Sequence, residues 1–346
     1  MNFSTLQGLA IPQGTVTQIT DASGRVLWSA GRTSELEFKS ASAFTLGVKF
    51  PGSLTTLGWN GTMEYNNGSG WQTWDGSTIS SGATKDGQCI YVRGTGNTTV
   101  TGYNVIDTNV RPWVLTGSNI ECNGNIETLL DYATARTGAH PTMASYCYYC
   151  MFFECTSLIT APKLPATTLT SYCYNRMFYG CTGLTKAPAI PATKTGANSC
   201  QYMFRGCTSL TTAPALPATT LGSECYSGMF FGCTSLTKAP ALPATTLNSS
   251  CYGAMFAGCT NLTAIPALRA TTLVTGCYNS MFQNCSKVKV SDTKTGTYTK
   301  AYAFNVTNSY PPGGALSAMF SGTGGTFTGA PAINTTYYLD ESNTIV

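Results

Sequence analysis

The residues able to do chemistry are, first, fifteen cysteines in a chain of 346 residues that has one histidine. Thiolates can ligate zinc, pair as disulfides or act as nucleophiles, so their spacing decides what they are for. Cys147-x-x-Cys150 is a lone C-x-x-C with no second pair and no histidine close by, which falls short of a four-ligand zinc site. The single histidine, His140, precedes a proline and removes most imidazole acid–base chemistry. Glu64 and Asp75 could be assembled as paired carboxylates, but nothing in the sequence sets them at the separation that glycoside hydrolysis requires. No G-x-S-x-G, P-loop or H-E-x-x-H motif is present. The expectation is a chain that is not an enzyme and uses neither cofactor nor metal.

Most of the thiols belong instead to an internal repeat. Met-Phe recurs at 151, 177, 203, 229, 255 and 281, a period of 26 residues. Four residues after each Met stands a cysteine: Cys155, Cys181, Cys207, Cys233, Cys259 and Cys285. A second column precedes the Met at Cys147, Cys173, Cys225, Cys251 and Cys277, and slips by one to Cys200 in the third unit. A degraded seventh copy reads Met319-Phe320-Ser321-Gly322. One such coil cannot bury its own apolar face, whereas stacked coils can. The constant Met, Phe, Cys and Leu columns are therefore expected inside, the cysteines acting as small reduced hydrophobes in a structural ladder. Variable columns should face solvent, among them Phe153/Tyr179/Arg205/Phe231 and the column of Lys186 and Lys238.

Within a unit, C-Y-x-x-M-F-x-G-C suits a short helical turn ended by Gly. Leu-Thr-x-Ala and Ala-Thr-Thr-Leu suit short strands, separated by the extended P-x-L-P segment. The unit C-Y-x-x-M-F-x-G-C-T-x-L-T-x-A-P-x-L-P resembles the BspA-like leucine-rich repeats over roughly residues 141–290, with Met-Phe where that family carries Ala-Phe. The resemblance implies a leucine-rich-repeat solenoid and a binding surface of the kind found in adhesins.

The rest of the chain reads as β-structure. Residues 1–32 form an expected attachment hairpin, whose segment I-P-x-G-x-V-x-x-I-x-D-x-x-G-x-V-L-W resembles the N-terminal peptide of structural proteins from phages of gut bacteria. Residues 33–115 alternate short strands with Gly/Asn/Ser turns, which suggests a β-sandwich module. Residues 116–140 are expected to cap the first coil, residues 141–290 to form the solenoid, and residues 291–346 to hold the degraded repeat and a C-terminal cap with a strand at Tyr337-Tyr338-Leu339. The fold class is thus mainly β.

Only 10% of residues are charged, and the formal net charge is +4. No apolar run reaches the ~18 residues of a membrane span, so membrane insertion is not expected. The charge is concentrated: residues 141–290 hold 9 basic and 2 acidic side chains. The basic residues are too sparse for a nucleic-acid stripe, and they favour instead a polyanionic cell-surface partner. Candidate binding residues are Lys186, Lys238, Arg205, Phe153, Tyr179 and Phe231 on the repeats, with Trp71 and Trp74 as a sugar-stacking platform in the front module. With no signal peptide at the N-terminus, the reading is a phage virion protein (tail fibre, baseplate or capsid appendage). It would dock to other virion proteins through the hairpin, self-associate as a homo-oligomer, and contact host polysaccharide or protein. The alternative is an adhesin at the bacterial cell surface.

Overall fold

The computed structural model describes residues 18–20, 26–29, 35–50, 56–84, 87–102 and 110–346. Strands β1 (Gln18–Thr20) and β2 (Val26–Ser29) pair antiparallel; the rest of the expected hairpin lies outside the described residues. The front module follows with β3 (Leu36–Ser40), β4 (Thr45–Val48), β5 (Thr62–Asn66), β6 (Gln72–Thr73), β7 (Ile79–Ser80), β8 (Gly82–Thr84), β9 (Gly87–Thr95), β10 (Trp113–Thr116) and β11 (Ile120–Asn123). Alternation does the positioning: β3 buries Leu36, Phe38 and Ser40, and β10 buries Trp113 and Leu115 while Val114 faces out, as a two-residue period requires. Sheet β10-β4-β7 meets the larger sheet β11-β3-β9-β5-β6 across Phe38 and Trp113, whose rings lie 6.1 Å apart. A 3-10 turn (Ile126–Leu129) and the short α1 (Tyr132–Ala135) complete it.

The join to the repeats is continuous. Strand β12 (Leu158–Thr160) of the first unit extends the larger sheet by pairing parallel to β11. Val100 and Trp113 donate backbone N–H groups to Cys147 and Met151, and Phe152 packs at 6.2 Å from Phe38. Strand β10 thus occupies the place of a preceding coil.

In the repeats the structure replaces the expected helical turn with a chain of reverse turns. Every fourth residue is left-handed: Tyr172 (φ 59°), Arg176 (φ 52°) and Gly180 (φ 71°) in the second coil, with equivalents in the others. The N–H groups then alternate in direction. Met151 and Phe153 donate back three residues within the coil, while Tyr148, Cys150, Phe152 and Glu154 donate to Cys173, Asn175, Met177 and Tyr179 of the next. A helix would spend every N–H on its own chain and leave none to join the coils. Left-handed backbone costs an ordinary residue ~1–2 kcal/mol, a penalty offset here by the backbone bonds between coils. Ala254 (φ 50°) and Ala318 (φ 51°) are the smallest such residues. Ala254→Gly should raise the melting temperature by an amount equivalent to about 0.5–1 kcal/mol, and Ala254→Val should lower it, as read by calorimetry.

The expected strands are also sparser than the pattern suggests. Beyond β12, the coils contribute only β13 (Ala264–Ile265) and β14 (Val290–Ser291). Elsewhere single bridges such as Lys186 to Thr212 and Lys238 to Ala264 remain, because the two prolines remove ladder donors. The constant columns do lie inside. Phe152, Phe178, Phe204, Phe230, Phe256, Phe282 and Phe320 are buried and stack with centroids 5.5–5.9 Å apart. Phe320 joins this column, so the degraded copy stacks as a coil. Strand β16 (Thr336–Asp340) pairs antiparallel with β14 on one side and with β15 (Tyr298–Ala303) on the other, over that end, and β17 (Thr344–Ile345) lies parallel on β13.

All fifteen cysteines are buried. Their role in the ladder is specific: Cys181, Cys207, Cys233, Cys259 and Cys285 each donate S–H to the carbonyl of Phe152, Phe178, Phe204, Phe230 and Phe256 in the preceding coil, at 3.0–3.1 Å. Cys155 does the same to Trp113 of β10 at 3.3 Å. Burial pushes the thiols of Cys155, Cys207 and Cys285 up to about 12. Cys147 and Cys150 fall in separate apolar clusters, so the C-x-x-C pair shares no site.

Candidate recognition face

The turn segments carry three columns whose large side chains are half-buried, while Cys150, Asn198 and Ala257 among them are buried. One column runs Tyr146, Tyr172, Asn198, Glu224, Ser250, Gly276. A second runs Cys150, Arg176, Tyr202, Gly228, Ala254, Ser280, and a third Phe153, Tyr179, Arg205, Phe231, Ala257, Gln283. Large aromatic and cationic groups are therefore confined to the first four coils.

Coil spacing brings these groups into contact. Tyr146 stacks on Tyr172 at 4.4 Å, and Phe153 on Tyr179 at 4.8 Å. The Arg205 guanidinium lies 4.3 Å from the Phe231 ring, 5.3 Å from Tyr202 and 5.6 Å from Tyr179. Arg176 sits 5.8 Å from Tyr202 and donates from Nη1 to the Tyr149 hydroxyl at 2.6 Å. Gly228 makes room for the arrangement: a Cβ there would lie 2.2 Å from the Tyr202 ring. Between these side chains and Lys49, Val110 and Pro112 of the front module runs a cleft of about 450 Å³. Among the described residues its lining holds three cationic side chains, Lys49, Arg176 and Arg205, and no carboxylate. A guanidinium held against aromatic faces is desolvated on one side and keeps donors for an anion on the other.

The candidate residues from the sequence divide among three places. Phe153, Tyr179, Arg205 and Phe231 come together on this face, joined by Tyr149, Arg176 and Tyr202. Those three were legible only by following every column along the stack rather than the one that carries Arg205. Lys186 and Lys238 are exposed but lie elsewhere: each borders a Pro/Ala/Thr groove between coils, with volumes of about 670 and 660 Å³.

The tryptophan platform does not form. Trp74 is buried, stacks on buried Trp59 at 5.2 Å and donates Nε1 to the Ser77 carbonyl, so it offers no face to a ligand. Trp71 points the other way from β6 and is covered by the Arg93 guanidinium at 4.0 Å. Glu64 is likewise engaged by Arg93 at 2.8 Å, and hydrogen bonds from the Ser77 side chain and N–H hold the Asp75 carboxyl below the usual value. His140 Nδ1 lies 2.9 Å from buried Glu127, a contact that ties residue 140 to the 3-10 turn. Burial raises the Glu127 carboxyl and His140 offsets part of that rise.

A family model for the BspA type leucine rich repeat region matches residues 140–254 and 175–310, with 6 copies. No curated protein and no solved structure matches the chain.

Proposed function

We propose that this chain, whose residues 140–310 are BspA-type leucine-rich repeats, is a non-catalytic recognition protein of a surface-adhesin type. Its target would be an anionic glycan, bound on the aromatic and arginine face of the first four coils. The supporting observation is the cleft itself: among the described residues, cations and ring faces line it together with no acid. Sugar rings stack on aromatic faces, and carboxylates or phosphates pair with guanidinium groups. The unbroken ladder of coil-to-coil bonds and the even ring spacing support a solenoid of 26-residue coils as the frame. In this reading residues 33–115 and 116–140 form the module and cap in front of it, and residues 291–346 seal its far end. Many weak contacts would add through avidity if the chain self-associates.

The test is binding to immobilised alginate, a polyuronate, with dextran as the neutral control. Arg205→Glu should weaken alginate binding at least about tenfold, since a charge-assisted contact is worth ~1.5–3 kcal/mol. The double variant Lys186→Glu/Lys238→Glu should leave it within about twofold, allowing for long-range screening. Equal loss in both variants would assign binding to diffuse positive charge and refute the face.

A second reading, attachment within a phage virion, rests on the N-terminal peptide resemblance alone. Finding the protein on purified particles would support it, and finding it on sedimented cells free of phage would favour the adhesin.

A further inference from the structure

Neighbouring coils do not all join where their proline segments begin. The second and third do: Ala187 donates its N–H to the Thr212 carbonyl, and Thr211 to that of Thr185. The fourth and fifth do likewise, with Ala239 donating to Ala264 and Ala264 to Thr237. Among the described residues no backbone bond crosses from 159–163 to 185–189, or from 211–215 to 237–241. The two Pro/Ala/Thr grooves lie at these two unjoined places.

The joined coils fix which way the remaining groups point. Along an extended segment, successive residues turn their backbone groups to alternate sides. Thr185 and Ala187 face the third coil, so Lys186 between them turns its N–H and C=O toward the groove shared with the first coil. Neither group has a partner among the described residues. An unpaired edge of this kind is a template for an added strand.

The protein fills one such place with its own chain. Strand β17 lies on β13 through the N–H groups of Thr344 and Val346, which donate to the carbonyls of Thr263 and Ile265. These bonds lie on the side of the fifth coil opposite to its bonds with the fourth. Buried Asn343, just before β17, donates to the carbonyls of Thr263 and Lys287, so the strand enters between the fifth and sixth coils.

The groove between the first and second coils has the chemistry for a strand from elsewhere. Its volume of about 670 Å³ is within the range of ligand sites. Among the described residues its lining is threonine and apolar side chains, two exposed lysines, Lys163 and Lys186, and no carboxylate. A strand alternates its side chains between two faces. A segment with apolar residues on one face and acids on the other can lay the first on the prolines and set the second beside the lysines.

We propose that this groove binds an extended acidic segment of a partner protein, added as a strand at Lys186 in the way that β17 adds to β13. None of its residues lines the aromatic and arginine cleft, so the site is independent of the proposed glycan recognition.

The test is fluorescence anisotropy of a labelled hexapeptide of alternating Val and Glu, titrated with the full chain. Saturable binding is expected. The same peptide with every backbone nitrogen methylated should lose it, because the Lys186 carbonyl then has no donor to accept from. The double variant Lys163→Glu/Lys186→Glu should weaken binding about tenfold or more, and Ala189→Trp, which fills the groove without changing charge, should abolish it. Arg205→Glu in the cleft should leave it within about twofold. No saturable binding by the unmodified chain, equal binding of the methylated peptide, or unchanged affinity in Lys163→Glu/Lys186→Glu would overturn the proposal. A loss in Arg205→Glu as large as in the lysine variant would also overturn it. Should Ala189→Trp fail to fold, the lysine variant, altered only at exposed positions, decides the matter.

Discussion

Raised above pH 9, the protein should unfold in one steep transition, and the thiolate absorbance near 240 nm should appear within that transition. The cause is the buried thiol ladder. Burial holds Cys155, Cys173, Cys207, Cys225 and Cys285 up to about 12, against an ordinary value of 9.0, and the remaining column thiols are raised as well. Below pH 9 both folded and unfolded chains keep these protons, and the stability is fully present. Between about 9 and 12 the unfolded chain releases protons that the folded chain holds, so stability falls as pH rises. Each thiol contributes ~1.4 kcal/mol per pH unit, and five together give about 7 kcal/mol per unit. A domain stability of ~5–15 kcal/mol would be exhausted within about one to two units. The buried tyrosines, raised in the same direction, steepen the fall. The same burial should keep the fifteen thiols from iodoacetamide at pH 8 until denaturant is added. A gradual thiol titration centred near 9 with the fold intact would show that the ladder is open to water.

The second large effect is expected from Phe204→Ala. Phe204 is fully buried and stacks nearly parallel between Phe178 and Phe230, with interplanar angles of 2° and 6°. Deleting a buried phenylalanine costs ~3–5 kcal/mol, and here the loss falls on two coil interfaces at once. Each coil packs mainly against its neighbours, so stability is close to a sum of local terms along the stack. Phe204→Ala should therefore lower the melting temperature and also separate the two ends. All five tryptophans lie at or before residue 113, and their emission reports the front module, whereas near-ultraviolet tyrosine signals report the repeats. The two signals should melt together in the unmodified protein and apart in Phe204→Ala. Coincident melting in the variant would mean that cooperativity does not pass through this column.

Much of this frame was legible in the residues alone. A period of 26 with Met, Phe, Cys and Leu in register can be buried only by stacking, and that argument named the inward columns and the reduced thiols. The strands around Phe38, Met63 and Ile90 followed from alternation. The backbone inside the coil did not, because C-Y-x-x-M-F fits a helical turn as well as the chain of left-handed turns that forms. Propensity weighs one segment at a time, whereas these turns are favoured by bonds to a neighbouring coil that no single unit contains.

The site divides along the same line. The sequence by itself determined that the large and cationic side chains of the turn columns fall in the first four coils. Only the tertiary structure decided that Arg205 meets Tyr179, Tyr202 and Phe231, that Lys186 and Lys238 lie at separate grooves, and that Trp74 turns inward while Trp71 does not. The physical reason is distance. A column records which side of the coil a residue faces, but contact between columns depends on coil pitch and turn geometry, and these are set by coil-to-coil hydrogen bonds.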